Sequence, residues 1–376
     1  MKKTPYYSYD ASLLRLTLEE AKKAMESHES LKGGCIHYAL KANNNPQVLA
    51  TIASAGFGAD CVSGGEIRQA LNAGFPASKI VYAGVGKTDE EIIFALEAGI
   101  SCFNVESVEE LRIISEIAVK EGKTANVALR INPNVGAHTH ANITTGLAEN
   151  KFGINMEKMA DAVELALDLD GIRFMGLHFH IGSQILDMGD FVALCNRINE
   201  LREWFIFKGV ELHTINVGGG LGIDYEHPEL HPVPDFASYF KTYSTHLRLD
   251  KNQQFHCELG RSIVGQCGSL ITRCIYVKEG TYKKFVIVDA GMNDLIRPAL
   301  YSAYHKIENI SNPEGEQELY DVVGPICESS DTFAKGRYLS STKRGDILAI
   351  RSAGAYGETM ASTYNARPLA ESEFKL

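Results

Sequence analysis

CIHYALK, residues Cys35–Lys41, is a short apolar run that ends in a lysine, with an asparagine corner (Asn43–Asn45) directly after it. Short runs of this kind read as buried strands. A lysine closing such a strand is poorly placed for water and well placed for chemistry. Downstream, FGADCVS, IVYAG, SCFNVE, NVALRIN, FMGLHFHIG, LHTINVGGG and FHCELG repeat the same form, each ending in a polar or glycine-rich corner. Helical stretches fall between them. In SVEELRIISEIAVKEG, for example, apolar residues recur at three- and four-residue spacing. Alternating strands and helices predict a parallel sheet. Eight such units in roughly 230 residues match an α/β fold of the (β/α)8 TIM-barrel type, and the count weighs against a doubly wound open sheet.

After about Arg261 the rhythm changes. SLITRCIYVKEG, KKFVIVDAG and RGDILAIRSAG are β-rich and turn-punctuated, and NPEGEQE reads as an exposed loop. The expectation is a barrel over 16–264 and a second, mainly β domain over 265–376, joined by residues 1–15.

Composition narrows the function classes. The 376 residues are 45% hydrophobic and carry a net charge of −10 with both signs dispersed, so no basic face is offered to nucleic acid. No apolar run approaches the roughly 18–20 residues of a membrane span. The start, MKKTPYYSYD, has no apolar stretch after its lysines, and a cytoplasmic location is expected. None of the eight cysteines lies in a CxxC pair, so free thiols are expected rather than disulfides or zinc.

The C-terminal ends of barrel strands converge on one face, where active sites are built. In order, these ends are Lys41, Asp60, Glu106, Arg130, His180, Gly218–Gly220 and Glu258. None is specific alone. The glycine run NVGGGLGIDY follows the seventh strand and ELGR the eighth, the usual place for a barrel phosphate site. The plain reading of the glycines is a tight turn. A lysine beside a phosphate site suggests pyridoxal phosphate, whose aldehyde a lysine amine can bond. His178 and His180, two apart, share a strand face. His180 suits either stacking on a pyridine ring or a core position. Zinc would need Asp60 and Glu258 as further ligands and would leave the glycine loop without a purpose, so no metal is expected. Glu258 against a pyridine nitrogen would keep it protonated and make the ring a strong electron sink.

YALKANNNPQVL, GADCVSGGE, HFHIGSQI, NVGGGLGIDY, ELGRSIVG, DAGMNDLIRPALY, GPICESSD and GAYGETMASTYNARP resemble, in order and over nearly the whole chain, the motifs of the diaminopimelate decarboxylase family. That family belongs to the fold-type III pyridoxal phosphate enzymes. DAGMNDLIRPALY and the CES-D motif are the most specific to it. The resemblance implies decarboxylation of meso-diaminopimelate to L-lysine and CO2. It implies that Lys41 holds the cofactor, and that Asp60, His180, Ser183, Gly219, Gly220, Glu258, Gly260, Arg261 and Tyr356 bind it. Glu66 and Arg130 match supporting positions. For the substrate it implies Arg261, Arg297, Tyr301, Glu328 and Tyr356, with Cys327 as proton donor. It also implies a homodimer in which the CES segment reaches the partner's site.

Three departures from the family pattern stand out: Leu259 for proline in ELGR, Ser330 for glycine in CESSD, and Glu358 where an aromatic is usual. None removes a reacting group. Competing functions are a decarboxylase of another basic amino acid, an amino-acid racemase and a non-catalytic cofactor carrier. A substrate without a distal carboxylate would leave Arg297 unpaired. The alanine racemases of the same fold type place arginine where Glu258 stands. A carrier needs neither the β domain nor the CES motif.

Overall fold

The computed structural model describes residues 2–135 and 151–375. The His-, Thr- and Asn-rich stretch 137–150 lies outside the described residues. The chain divides into two compact units, one of 18–222 and 235–260, the other of 1–17, 223–234 and 261–376.

The first unit is a closed barrel of eight parallel strands. They are β2 (Cys35–Ala39), β3 (Gly58–Cys61), β4 (Ile80–Tyr82), β5 (Cys102–Val105), β6 (Ala125–Arg130), β7 (Ile172–His178), β8 (Thr214–Asn216) and β9 (Gln254–Leu259). Each overlaps one of the eight runs read from the sequence, with β6, β7 and β9 starting one or two residues before theirs. Closure comes from β2 pairing with β9, which sets His37 opposite Glu258.

Local chemistry starts the helices where the strands stop. Ser63 and Ser107 cap the next helices by accepting the backbone N–H of Glu66 and Glu110, and Thr88 forms a reciprocal capping box with Glu91. Each such cap contributes about 1 kcal/mol. The asparagine corner works in the same way. Asn43 accepts from the N–H of Asn45 at 2.9 Å, and Asn45 caps helix Pro46–Ser54, whose proline sits in the first turn. Tyr38 donates its hydroxyl to the Asn43 carbonyl at 2.8 Å, so the corner is tied to its own strand.

Lys41 lies in the single turn Leu40–Ala42 just beyond β2. Burial was expected of it, yet its side chain is 43% exposed. The strand proper ends two residues earlier, and the turn lifts the lysine out of the packed layer.

The second unit is built on β1 (Tyr6–Asp10), β10 (Gly268–Glu279), β11 (Lys284–Val288), β12 (Ile307–Asn309), β13 (Gln317–Val323), β14 (Thr332–Ser340), β15 (Ile347–Ile350) and β16 (Glu371–Lys375). Six of them run in the order β12-β15-β10-β11-β13-β14, and β1 pairs antiparallel with β10 and parallel with β16. NPEGEQE is a turn until Gln317 opens β13. Residues 223–234 and 261–264, inside the span expected for the barrel, group with this β unit. Side chains tie them there. Gln266 donates to the His231 carbonyl, and Lys306 pairs with Glu229 at 2.8 Å.

Candidate active site

In the barrel unit, Glu258 is held through both carboxylate oxygens at the strand ends. Its Oε1 accepts from Asn104 at 3.0 Å and from Asn216 at 2.8 Å, and its Oε2 lies 3.0 Å from Nε2 of His178. Burial alone would keep this carboxyl protonated. The nearby His178, His180 and Lys41 outweigh it and hold the group well below the usual carboxylate range. Glu258 is therefore a fixed anion, and Nε2 of His178 carries the proton between them.

Asp60 behaves oppositely. Its Oδ2 is 4.0 Å from the Lys41 Nζ, and its buried Oδ1 has no hydrogen-bond partner. Burial first, then the charge of Glu258, push it up to about 7. Glu258 is held ionised, whereas burial, helped by the negative charge of Glu258, leaves Asp60 titrating near neutrality.

His180 accepts the N–H of Gly219 on Nδ1 at 3.3 Å. Burial, then Arg130 and Lys41, drive its pKa well down. The ring is neutral, with its proton on Nε2. The glycine loop is compulsory. A Cβ on Gly219 would stand 1.9 Å from the Glu258 carbonyl, and one on Gly218 (φ 71°) 2.1 Å from that of Phe179. Gly218 donates to Asn216, whereas the Gly220 N–H has no protein acceptor among the described residues. Ser183 is half-buried, and Gly260 packs against Ala39 and Ala42. Glu106 accepts from Arg130 at 2.8 Å and from the N–H groups of Gly84 and Gly153. Glu66 accepts the Val62 N–H at 2.8 Å. Among the described residues no group of three or more histidines, cysteines and acids is placed to hold a metal ion.

These groups fit pyridoxal phosphate. An amine stands beside a titrating acid, a neutral imidazole offers a flat face, a fixed anion suits a ring nitrogen, and a glycine loop presents an unused N–H to a phosphate.

The β unit gathers the other expected residues. Arg261 and Arg297 both donate to the hydroxyl oxygen of Tyr225, at 2.6 and 3.0 Å. Arg261 also lies 5.0 Å from the Tyr356 ring centre, and Tyr356 is held at φ 57°, where a non-glycine residue is strained. Tyr301 ends helix Arg297–Tyr301. Cys327 and Glu328 are exposed, and the Cys327 N–H donates to Asn365 at 3.0 Å. Asp331 anchors their loop by accepting from the N–H groups of Ile326 and Met292. Ser330 does not have the positive φ that a glycine there would serve, and its hydroxyl donates to Glu328. Glu358 accepts from Tyr9 at 2.5 Å. Leu259 is buried at the end of β9. All eight cysteines are free.

Asn104, Asn216, Tyr225 and His305 were not singled out from the sequence. The signal for the asparagines was present: a polar residue in the last positions of an apolar strand run (SCFNVE, LHTINVGGG).

The family model for "Pyridoxal-dependent decarboxylase, pyridoxal binding domain" matches residues 17–265. A diaminopimelate decarboxylase from Bacteroides thetaiotaomicron is 62% identical over 97% of this chain and 94% of its own length. This chain belongs to the diaminopimelate decarboxylases. Among solved structures, the diaminopimelate decarboxylase of Helicobacter pylori complexed with L-lysine aligns at TM-score 0.93 and 41% identity, covering 100% of this chain and 92% of that one. A lysine/ornithine decarboxylase of Vibrio vulnificus, 22% identical at TM-score 0.82, shares the fold. No described helix is long and apolar enough to cross a membrane.

Proposed function

We propose that this protein decarboxylates meso-2,6-diaminopimelate to L-lysine and CO2, using pyridoxal phosphate. The observation that carries the reading is the Glu258 carboxylate, kept ionised and clamped by Asn104, Asn216 and His178 in the same strand-end cluster as Lys41. Bound pyridoxal phosphate supplies an electron sink at the substrate's Cα, and a protonated ring nitrogen deepens that sink. Glu258 would hold the proton on that nitrogen. Lys41 would bind the cofactor through its amine, with Asp60 beside it to take or give a proton at Nζ. His180 would offer its neutral ring to the cofactor, and Ser183, Gly219, Gly220, Gly260, Arg261 and Tyr356 would seat it.

Arg261 and Arg297 bind the carboxylate that is not lost, Glu328 binds the ammonium beside it, and Tyr301 and Tyr356 close that pocket. Holding the far end orients the bond to be broken. Cys327 delivers a proton from Sγ to Cα after CO2 leaves. The working form is a homodimer with the CES segment of each chain serving the other, located in the cytoplasm. The domains of this reading are a barrel over 16–264 and a β domain over 265–376, joined by 1–15.

The test is CO2 release from purified protein with added pyridoxal phosphate, offered meso-diaminopimelate, L-ornithine, L-arginine and L-lysine in parallel, with products identified by chromatography. Turnover of meso-diaminopimelate alone, with L-lysine formed, is expected. Preference for another amino acid would overturn the assignment of Arg297 and Glu328. No CO2 from any of them, with cofactor bound, would reopen the racemase and carrier alternatives.

A further inference from the structure

The loop after the glycine run places Tyr225 between two cations. Asp224 shapes the turn. Its Oδ1 accepts the N–H groups of Glu226 and His227, both at 2.8 Å, and its Oδ2 holds Nδ1 of His231 at 2.8 Å. The neighbouring phenol oxygen accepts from Nη1 of Arg261 at 2.6 Å and from Nη1 of Arg297 at 3.0 Å. Guanidinium groups only donate, so both bonds run toward the tyrosine.

Arg297 is fixed from a second side. Its Nη1 lies 2.9 Å from Nε2 of His305, so that nitrogen accepts and carries no proton. The proton is on Nδ1, which donates to the Arg351 carbonyl at 2.9 Å. Burial and the two arginines push His305 down to about 3, which agrees with a neutral ring. The His305 ring meets Tyr225 edge-on, with centres 5.2 Å apart. Both acceptors therefore take hydrogens of the same Arg297 nitrogen. Its Nε is buried without a hydrogen-bond partner. Arg297 has no carboxylate partner within the described residues.

We infer that Tyr225 is a positioning residue that sets the two arginines as one fork for the carboxylate at the far end of the substrate. This rests on the function proposed above and names the part of the site that reads the distal group. Without the phenol oxygen, two like charges would face each other with no shared acceptor, and the fork would open. A carboxylate in place of Tyr225 would hold them more tightly but would cancel the charge the substrate needs. A phenol holds them while leaving most of that charge available. Burial opposes ionisation of Tyr225, but the two guanidiniums win and lower its pKa from the ordinary tyrosine value.

The variant Tyr225→Phe removes the oxygen and little else. With the bound-cofactor absorbance unchanged, KM for meso-diaminopimelate should rise about tenfold or more, as expected for lost hydrogen bonds to charged groups, with a smaller change in kcat. In a double-mutant cycle with Arg297→Lys, the two losses should be far from additive. The ultraviolet absorbance change of an ionising phenol, titrated without substrate, should show a tyrosine ionising below the ordinary value of about 10 in the parent that is missing from the variant. An unchanged KM, or additive losses, would overturn the inference. Should the phenylalanine variant not fold, His305→Ala, which unties Arg297 from one acceptor, should raise KM with kcat kept, and an unchanged KM would again overturn it. If the parent protein fails to turn over meso-diaminopimelate, the proposed function falls. A parent that turns it over beside a Tyr225→Phe variant with unaltered KM removes this inference alone.

Discussion

At the scale of single residues, this site separates two acids by environment. Glu258 has three hydrogen-bond partners and stays ionised, whereas Asp60, whose buried Oδ1 has no hydrogen-bond partner, titrates at about 7. Replacing Glu258 with Gln keeps the shape and removes the charge. The expected result is a fall in kcat of roughly 10²-fold or more, the scale of one lost preorganised charge interaction, with KM much less affected. Steady-state kinetics check it. Asp60 makes a pH-dependent cost. Its folded pKa of about 7 lies above the unfolded value of about 4, so the folded state binds the extra proton and stability falls as pH rises through that window. In cofactor-free protein, Asp60→Asn should match the parent near pH 4 and become progressively more stable than it up to about pH 7. Thermal unfolding across that range reads the difference, and parallel curves would discard the assignment. Such roles were partly legible in the sequence. Lys41 and Glu258 announced themselves as charges ending apolar strands. Asn104 and Asn216 were marked only as polar residues late in apolar runs, a weaker signal than a charge, and their role emerges when barrel closure brings them to Glu258. Tyr225 was hidden for a similar reason: Arg261 and Arg297 lie tens of residues away in the chain, as does the Arg351 carbonyl that fixes His305.

Among elements, the eight barrel strands were readable because each is a short apolar run cut off by a polar corner, and the caps Ser63, Thr88 and Ser107 mark where the helices begin. Ile223–Pro234 was not readable as part of the β unit, since its grouping depends on side chains such as His231 and Glu229 meeting Gln266 and Lys306. The glycine loop after β8 carries its own prediction. In Gly219→Ala the new methyl would fall 1.9 Å from the Glu258 carbonyl, so strand β9 or the loop must move. Overpacking of this kind costs on the order of 1–3 kcal/mol or more. The variant should unfold at lower denaturant concentration and bind pyridoxal phosphate weakly. Gly99→Ala, at the left-handed end of helix Asp89–Ala98 with open space around it, should lose stability while keeping cofactor affinity. Equilibrium unfolding and cofactor titration of the pair separate backbone strain from loss of the phosphate seat.

For the whole molecule, the proposed dimer makes a claim about mixtures. Lys41→Ala and Cys327→Ala should each be inactive, the second with kcat lowered far more than substrate binding. If the CES segment of one chain serves the other's site, mixing the two proteins should restore part of the activity. No recovery, with subunit exchange shown separately, would place Cys327 in the service of its own chain. The sheet of the β unit carries another consequence at this scale. Strand β1 precedes all eight barrel strands in the chain, whereas both of its partners, β10 and β16, follow them. During synthesis the barrel can leave the ribosome complete while β1 waits with both edges open. Its tyrosines Tyr6, Tyr7 and Tyr9 stay unpaired until β10 and then β16 emerge. Slowing translation of the codons for β16 should lengthen that interval.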